Sequence, residues 1–116
     1  MRVTSEFFVS ALIRRVFSSG GFAAVERKGA AEAGAIFIRT RARDGFETLY
    51  GPAPQSVFDE ENSGDRRFEI RVRHGDGSAV EAVILREAKF DPDLWLVELE
   101  TESVEGLLTV DDDQGH

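Results

Sequence analysis

Apolar residues recur along this chain with two periods, and the places where one period gives way to the other predict its elements. Phe8, Leu12 and Val16 fall four residues apart, with Ala11 beside them and Ser10, Arg14 and Ser18 opposite. That is the stripe of a core-facing helix rather than of a membrane-surface helix, whose polar face would carry many more Lys and Arg. Thr4 or Ser5 can cap its start, and Gly20-Gly21 supplies the left-handed residue that commonly ends a helix. A second helix is predicted from Ser78, three residues ahead of Glu81 in the spacing of a capping box, with Val80, Val83, Ile84 and Ala88 on one face. Pro92 stops it, having no N–H to donate and pushing Asp91 out of the helical region.

Between and after the helices the period drops to two, the mark of strands. A short strand is predicted over Phe22 to Arg27, and a longer one over Ala35 to Arg43. In the latter Ile36, Ile38, Thr40 and Ala42 point one way and Phe37, Arg39, Arg41 and Arg43 the other. Asp44-Gly45 predicts a two-residue type I′ turn into a strand over Phe46 to Tyr50. Gly51-Pro52-Ala53-Pro54 is expected to break the pairing and open a loop through Arg66, polar apart from Val57 and Phe58. Phe68 to His74 and Leu94 to Glu100 alternate again, the last with Trp95, Val97 and Leu99 on one side. The expected fold is α+β: a mainly antiparallel sheet of four or five strands, with the two helices on one face and a charged face left more exposed. One domain over 1–100 is expected, followed by an acidic, flexible tail over 101–116 that holds the apolar patch Leu107 to Val110.

Charge sharpens this picture. The chain has 116 residues and a net charge of −8, with 12 basic and 10 acidic residues in 1–73 against 2 and 12 in 74–116. An acidic chain of this kind argues against nucleic acid as a partner, because phosphate binding needs clustered positive charge. Without cysteine it can form neither disulfides nor thiolate metal sites. No signal peptide or membrane span fits the opening residues, and the expected location is the cytoplasm.

Candidate chemistry gathers in three places. Arg39, Arg41 and Arg43 on one strand and Arg71 and Arg73 on another could form an anion-binding face. The plainer reading pairs them across the ladder with Glu47, Glu69, Glu98 and Glu100. Asp91 and Asp93 could be an acid–base or metal pair, although Asx turns around Pro92 account for them more simply. Tyr50, Gln55 and Ser56 surround the double-proline corner and could line a small pocket. His74 reads as a solvated turn residue. No phosphate loop, zinc-ligand spacing, dinucleotide fingerprint or nucleophile elbow is present, so no cofactor or metal is expected.

Several strings resemble an uncharacterised family of small bacterial proteins, the domain of unknown function numbered 1491. They are Ser5-Glu6-Phe7 with Ser10-Ala11-Leu12-Ile13-Arg14-Arg15, Gly20-Gly21-Phe22-Ala23, Tyr50-Gly51-Pro52-Ala53-Pro54-Gln55 and, most specific, Arg86-Glu87-Ala88-Lys89-Phe90-Asp91-Pro92-Asp93-Leu94-Trp95. The resemblance runs nearly end to end and is weaker over Phe68 to Gly75 and in the tail. It implies no activity, cofactor or site residue.

The residues therefore favour a non-enzymatic binding or regulatory module that engages a protein partner through Arg39, Arg41 and Arg71 and the loop from Gly51 to Asp65. The alternative is a small enzyme with its polar groups at Tyr50, Gln55, Asp91 and Asp93. A third reading is a homodimer joined through a sheet edge.

Overall fold

The computed structural model describes residues 3–54, 66–101 and 103–111. Gln55, Ser56, Val57 and Phe58 lie outside these residues, as does the end of the acidic tail. The elements are α1 (Ser5–Ser18), β1 (Phe22–Arg27), β2 (Ile36–Arg41), β3 (Glu47–Pro52), β4 (Arg67–Gly75), α2 (Gly77–Phe90), β5 (Trp95–Glu100) and β6 (Thr109–Val110).

The described strands form one six-stranded sheet in the order β1-β5-β2-β3-β4-β6. It is mixed, not mainly antiparallel with four or five strands. β5 inserts between β1 and β2, antiparallel to the first and parallel to the second, and β6 lies parallel to β4. The hairpin strands β2 and β3 and their neighbour β4 are antiparallel, as expected. Alternation within each strand was readable from the chain, but the direction of its neighbours depends on contacts tens of residues away.

The helices cover opposite faces of the sheet rather than sharing one. Val9, Leu12 and Val16 of α1 pack with Ile36, Ile38, Trp95, Val97 and Leu99. Val80 and Ile84 of α2 pack with Phe37, Leu49, Leu94 and Leu96. Strand β2 shows why: Ile36 and Ile38 enter one core and Phe37 the other, so a strand with an apparently wet side is buried on both faces. Coverage of both faces is usual around a parallel strand pair such as β2 and β5. The patch Leu107 to Val110 docks on the α1 side, where Leu107, Leu108 and Val110 pack against the core.

Three local expectations also change. Asp76, not Ser78, caps α2, its carboxylate accepting from the Ala79 N–H at 3.0 Å. Gly45 alone of the β2–β3 turn residues has positive φ, at 90°, whereas a type I′ turn needs two such residues. The Gly45 N–H donates to the Ala42 carbonyl at 3.0 Å and Ala42 to Phe46 at 2.8 Å, making a three-residue loop over Arg43, Asp44 and Gly45. Finally, β3 carries its pairing through Gly51 and Pro52, opposite Glu69 and Phe68. Pro52 is tolerated there because β3 has no β2 partner beyond Tyr50, so its end is a free edge on that side.

At the start of α1 the expectation stands: the Thr4 side chain accepts from the Phe7 N–H at 3.2 Å. Ser5 is fully buried and donates its hydroxyl to the Gly34 carbonyl at 2.6 Å. Among the described residues no helix is long and apolar enough to cross a membrane.

Candidate functional site

The arginine row of β2 begins inside the protein and ends at its surface. Arg39 is 7% exposed. Its guanidinium donates to Glu47 Oε1 from Nη2 at 2.7 Å and from Nε at 3.1 Å. Nη1 donates to Glu26 Oε1 at 3.0 Å and to Glu81 Oε2 at 2.9 Å. These carboxylates come from β3, β1 and α2, so one side chain ties three elements to β2. Glu47 is 4% exposed, and its second oxygen accepts from Arg41 Nη2 at 3.0 Å and Nε at 3.2 Å.

Burial opposes the charge of both members of the central pair. Its hydrogen bonds to Glu47 and Glu81 nonetheless raise the Arg39 pKa, and those that Arg39 and Arg41 donate hold Glu47 below the usual carboxylate range. A charge-assisted network of this kind tolerates burial because every ion meets hydrogen-bonded partners of opposite sign.

Glu98 breaks that pattern. It faces Arg39 across the β5–β2 ladder and Ala24 across the β5–β1 ladder. Burial raises its pKa first, and a hydrogen bond with the Glu26 carboxyl and that group's charge raise it further. Two carboxyl groups thus share one stretch of sheet. Glu98 lies on the side away from α1, since Val97 and Leu99, its neighbours along β5, fill the α1 core, and Glu26 meets it there.

At the C-terminal ends of β2 and β5 the network opens into a cleft of about 880 Å³. Arg41 and Arg43 form one wall, Glu100 and Glu105 another, and Gly20 and Gly21 stand at the end of α1. Gly21 has to be glycine: a Cβ there would meet the Glu100 carbonyl at 2.8 Å and Val16 at 3.0 Å.

The other sequence candidates fall elsewhere. Arg71 lies beneath α2, donating to Glu69 at 2.9 Å and to the Pro52 carbonyl at 2.6 Å, with its guanidinium 5.4 Å from the centre of the Phe37 ring. Tyr50 packs against the α1 core, where burial raises its pKa. Asp91 accepts from the Asp93 N–H at 3.1 Å, the Asx turn that the Pro92 corner calls for. Tyr50 faces Ile38, and Ile38 faces Val97, four residues beyond Asp93. Strand spacing therefore separates Tyr50 from Asp93 by on the order of 15 Å. Gln55 lies outside the described residues. His74 contacts Asp44 at 2.8 Å beside the hairpin turn. Among the described residues no group of three or more His, Asp or Glu side chains is arranged to hold a metal.

Sequence reasoning found Arg39, Arg41, Glu47 and Glu98 but not the parts of Glu26 and Glu81. The spacing from Ser78 points Glu81 to a capping box, and Glu26 joins the network only because β1 lies next to β5.

The profile of a family described as protein of unknown function (DUF1491) matches residues 3–109. The chain belongs to the DUF1491 family. Three solved structures share its fold closely. Protein Atu0922 from A. tumefaciens is 57% identical over 100% of both chains, with a TM-score of 0.86. A crystal structure of a DUF1491 family protein from Caulobacter crescentus is 32% identical, with 96% of this chain and 99% of that one covered and a TM-score of 0.76. An NMR structure of a DUF1491 family protein from the same organism is 33% identical, at 96% and 98% coverage and a TM-score of 0.75. None of the curated proteins matches.

Proposed function

We propose that this DUF1491 chain is a non-enzymatic binding module, and that it engages a protein partner through the part of the charged sheet face that α2 leaves open. One observation carries the reading. The network anchored on Arg39 runs without a break from the interior to Arg41, whose side chain is 50% exposed at the rim of the cleft. A buried anchor holds the outer groups in fixed positions, which lowers the entropy cost of meeting a partner. Within this reading Arg39 and Arg71 are positioning residues, and Arg41 is the arginine placed to touch the partner.

The enzyme alternative is less well supported, because Tyr50 and the Asp91–Asp93 corner are held apart and each already has a structural role. Affinity capture from native bacterial lysate, run in parallel with the wild type and Arg41→Glu, tests the binding reading. A discrete partner retained by the wild type and lost on reversal supports it. Identical retention by both forms, or retention by neither, overturns it.

A further inference from the structure

The two edges of the sheet differ. At one, β4 is partly covered by β6 and its open part carries Glu69, Arg71 and Arg73. At the other, β1 pairs with β5 and, among the described residues, with no strand beyond. Alternate residues of β1 therefore direct N–H and C=O groups away from the sheet. The ladder is regular from Phe22 to Val25, then bulges at Glu26, where β1 advances two residues against one of β5. Proteins protect such edges with proline, lysine or other charge. The run Phe22-Ala23-Ala24-Val25 has none of these.

Apolar surface borders the same edge. Val25 stands on the α1 side, opposite Val97, and is 40% exposed. Phe22, 46% exposed, packs edge to face on Phe17 of α1, itself 50% exposed, with ring centres 5.6 Å apart.

Charge and register identify the occupant. Both charged side chains of β1 are already engaged, Glu26 with Arg39 and Arg27 with the Pro92 carbonyl, so a strongly charged partner gains nothing from them. Helix α1, β1 and β5 together hold three basic and four acidic residues, and Lys28 directly after β1 evens the count. The chain's net charge of −8 lies elsewhere. Its acidic end leaves from β6, five strand spacings or about 24 Å from β1, beyond the Debye length of about 8 Å. Two copies therefore meet with least repulsion at β1. A two-fold axis normal to the sheet pairs residues of like face. It places Ala23 on Ala23 of the second copy, Phe22 opposite Ala24 and Gly21 opposite Val25, with no charge on any of these rungs. Gly21 carries no side chain, which leaves Val25 of the second copy open to Phe17 on the α1 side.

We infer that the outer edge of β1 is the seat of β1 from a second copy of this chain, the two strands running antiparallel in one continuous sheet with Phe17, Phe22 and Val25 covered. This goes beyond the partner reading at Arg41 and does not depend on it. An interface of one short strand and these side chains falls in the weak class, below about 1,200 Å². The dimer should therefore build up with concentration.

Sedimentation velocity of the full chain over a concentration series tests this. The mass should rise from 12.8 kDa toward twice that value. Val25→Lys, which puts a charge on the edge, should weaken the dimer about tenfold or more. Phe90→Lys, at an 85% exposed apolar residue on α2, should leave it unchanged. Hydrogen exchange gives a reading that needs no variant: the outward amides among Phe22 to Val25 should gain protection as the wild-type concentration rises. A single mass up to about 1 mM overturns the proposal. So does a dimer that survives in folded Val25→Lys or is lost in Phe90→Lys. Dimerisation with no gain of protection on β1 overturns it whether or not Val25→Lys folds. Arg41→Glu should leave the mass unchanged, so the capture experiment judges the partner reading separately.

Discussion

Arg39 and Glu47, on the adjacent strands β2 and β3, form an ion pair buried at both ends, with 2.7 Å between Arg39 Nη2 and Glu47 Oε1. Glu47 is also the direct cross-strand partner of Arg41, so it spans two arginines with its two oxygens. The pair converts what would be a solvated charge stripe into an internal brace. Burial of this kind contributes less to net stability than to fixing one arrangement, because desolvation offsets much of the attraction.

Removing one member alone should therefore be costly. Glu47→Ala is expected to destabilise the fold by about 3 kcal/mol, near the lower end for a broken buried pair because Glu26 and Glu81 still reach Arg39. Glu81→Ala should cost under about 1 kcal/mol, since its side chain is 59% exposed. Urea denaturation of both variants measures the difference, and equal midpoints would contradict the brace.

The two perturbed carboxyls of the network should act on stability in opposite directions as pH changes. The folded-state pKa of Glu47 is depressed. Its contribution is fully present above the unfolded value of about 4.3 and is lost as the pH falls through the folded value. The folded-state pKa of Glu98 is raised, so the fold binds that proton more tightly than the unfolded chain does. Its contribution is present below about pH 4.3 and is lost as the pH rises through the folded value. Glu98→Gln should flatten the decline on that limb and raise stability at pH 7 by under about 1 kcal/mol for a partly exposed pair, read as a higher urea midpoint. Glu47→Gln should flatten the acid limb instead. Midpoints measured from pH 3 to pH 8 check both signs.

Local periodicity made both helices and the five longer strands legible in the chain, and the Asx turn at Pro92 was readable from its residue types. What the chain concealed is long-range. Arg39 looks like a wet-face residue by alternation, and only the arrival of α2 over Phe37 and Leu49 shows that its face is a second core. For the same reason the helices could be found but not assigned to their sides of the sheet. Glu26 carried no local sign of its role, because its contact with Arg39 requires β5 to come between β1 and β2. Glu81 was obscured by a competing local signal, the capping-box spacing from Ser78.

The start of α2 separates those two signals experimentally. The Asp76 carboxylate accepts from the Ala79 N–H at 3.0 Å and from the Ser78 hydroxyl at 2.8 Å, and both bonds hold its pKa low. Asp76→Ala is expected to lower stability by about 1 kcal/mol, the usual loss on removing an N-cap. Ser78→Ala should cost only a few tenths, because Ser78 supports the cap without being it. A larger loss at Ser78 than at Asp76 would restore the capping box.

The loop between β1 and β2 is fitted to the Pro92 corner so closely that it admits no side chain at two positions. A Cβ on Gly29 would lie 2.0 Å from the Asp93 carbonyl oxygen and 2.7 Å from the Leu94 backbone, and one on Gly34 would lie 2.2 Å from the same oxygen. That oxygen accepts from the Ala30 N–H at 2.9 Å, and the Ala30 carbonyl accepts from the Trp95 indole at 2.8 Å. The obstacle is backbone held at both ends by hydrogen bonds, so it cannot move aside as a flexible side chain would. Gly29→Ala and Gly34→Ala should each destabilise by about 3 kcal/mol, at the upper end for overpacking. Gly45→Ala meets no atom within 4 Å and is penalised only for its φ of 90°, so it should cost about 1 to 2 kcal/mol. Trp95 fluorescence during urea unfolding reads all three variants. A Gly29→Ala midpoint as high as that of Gly45→Ala would mean the corner yields.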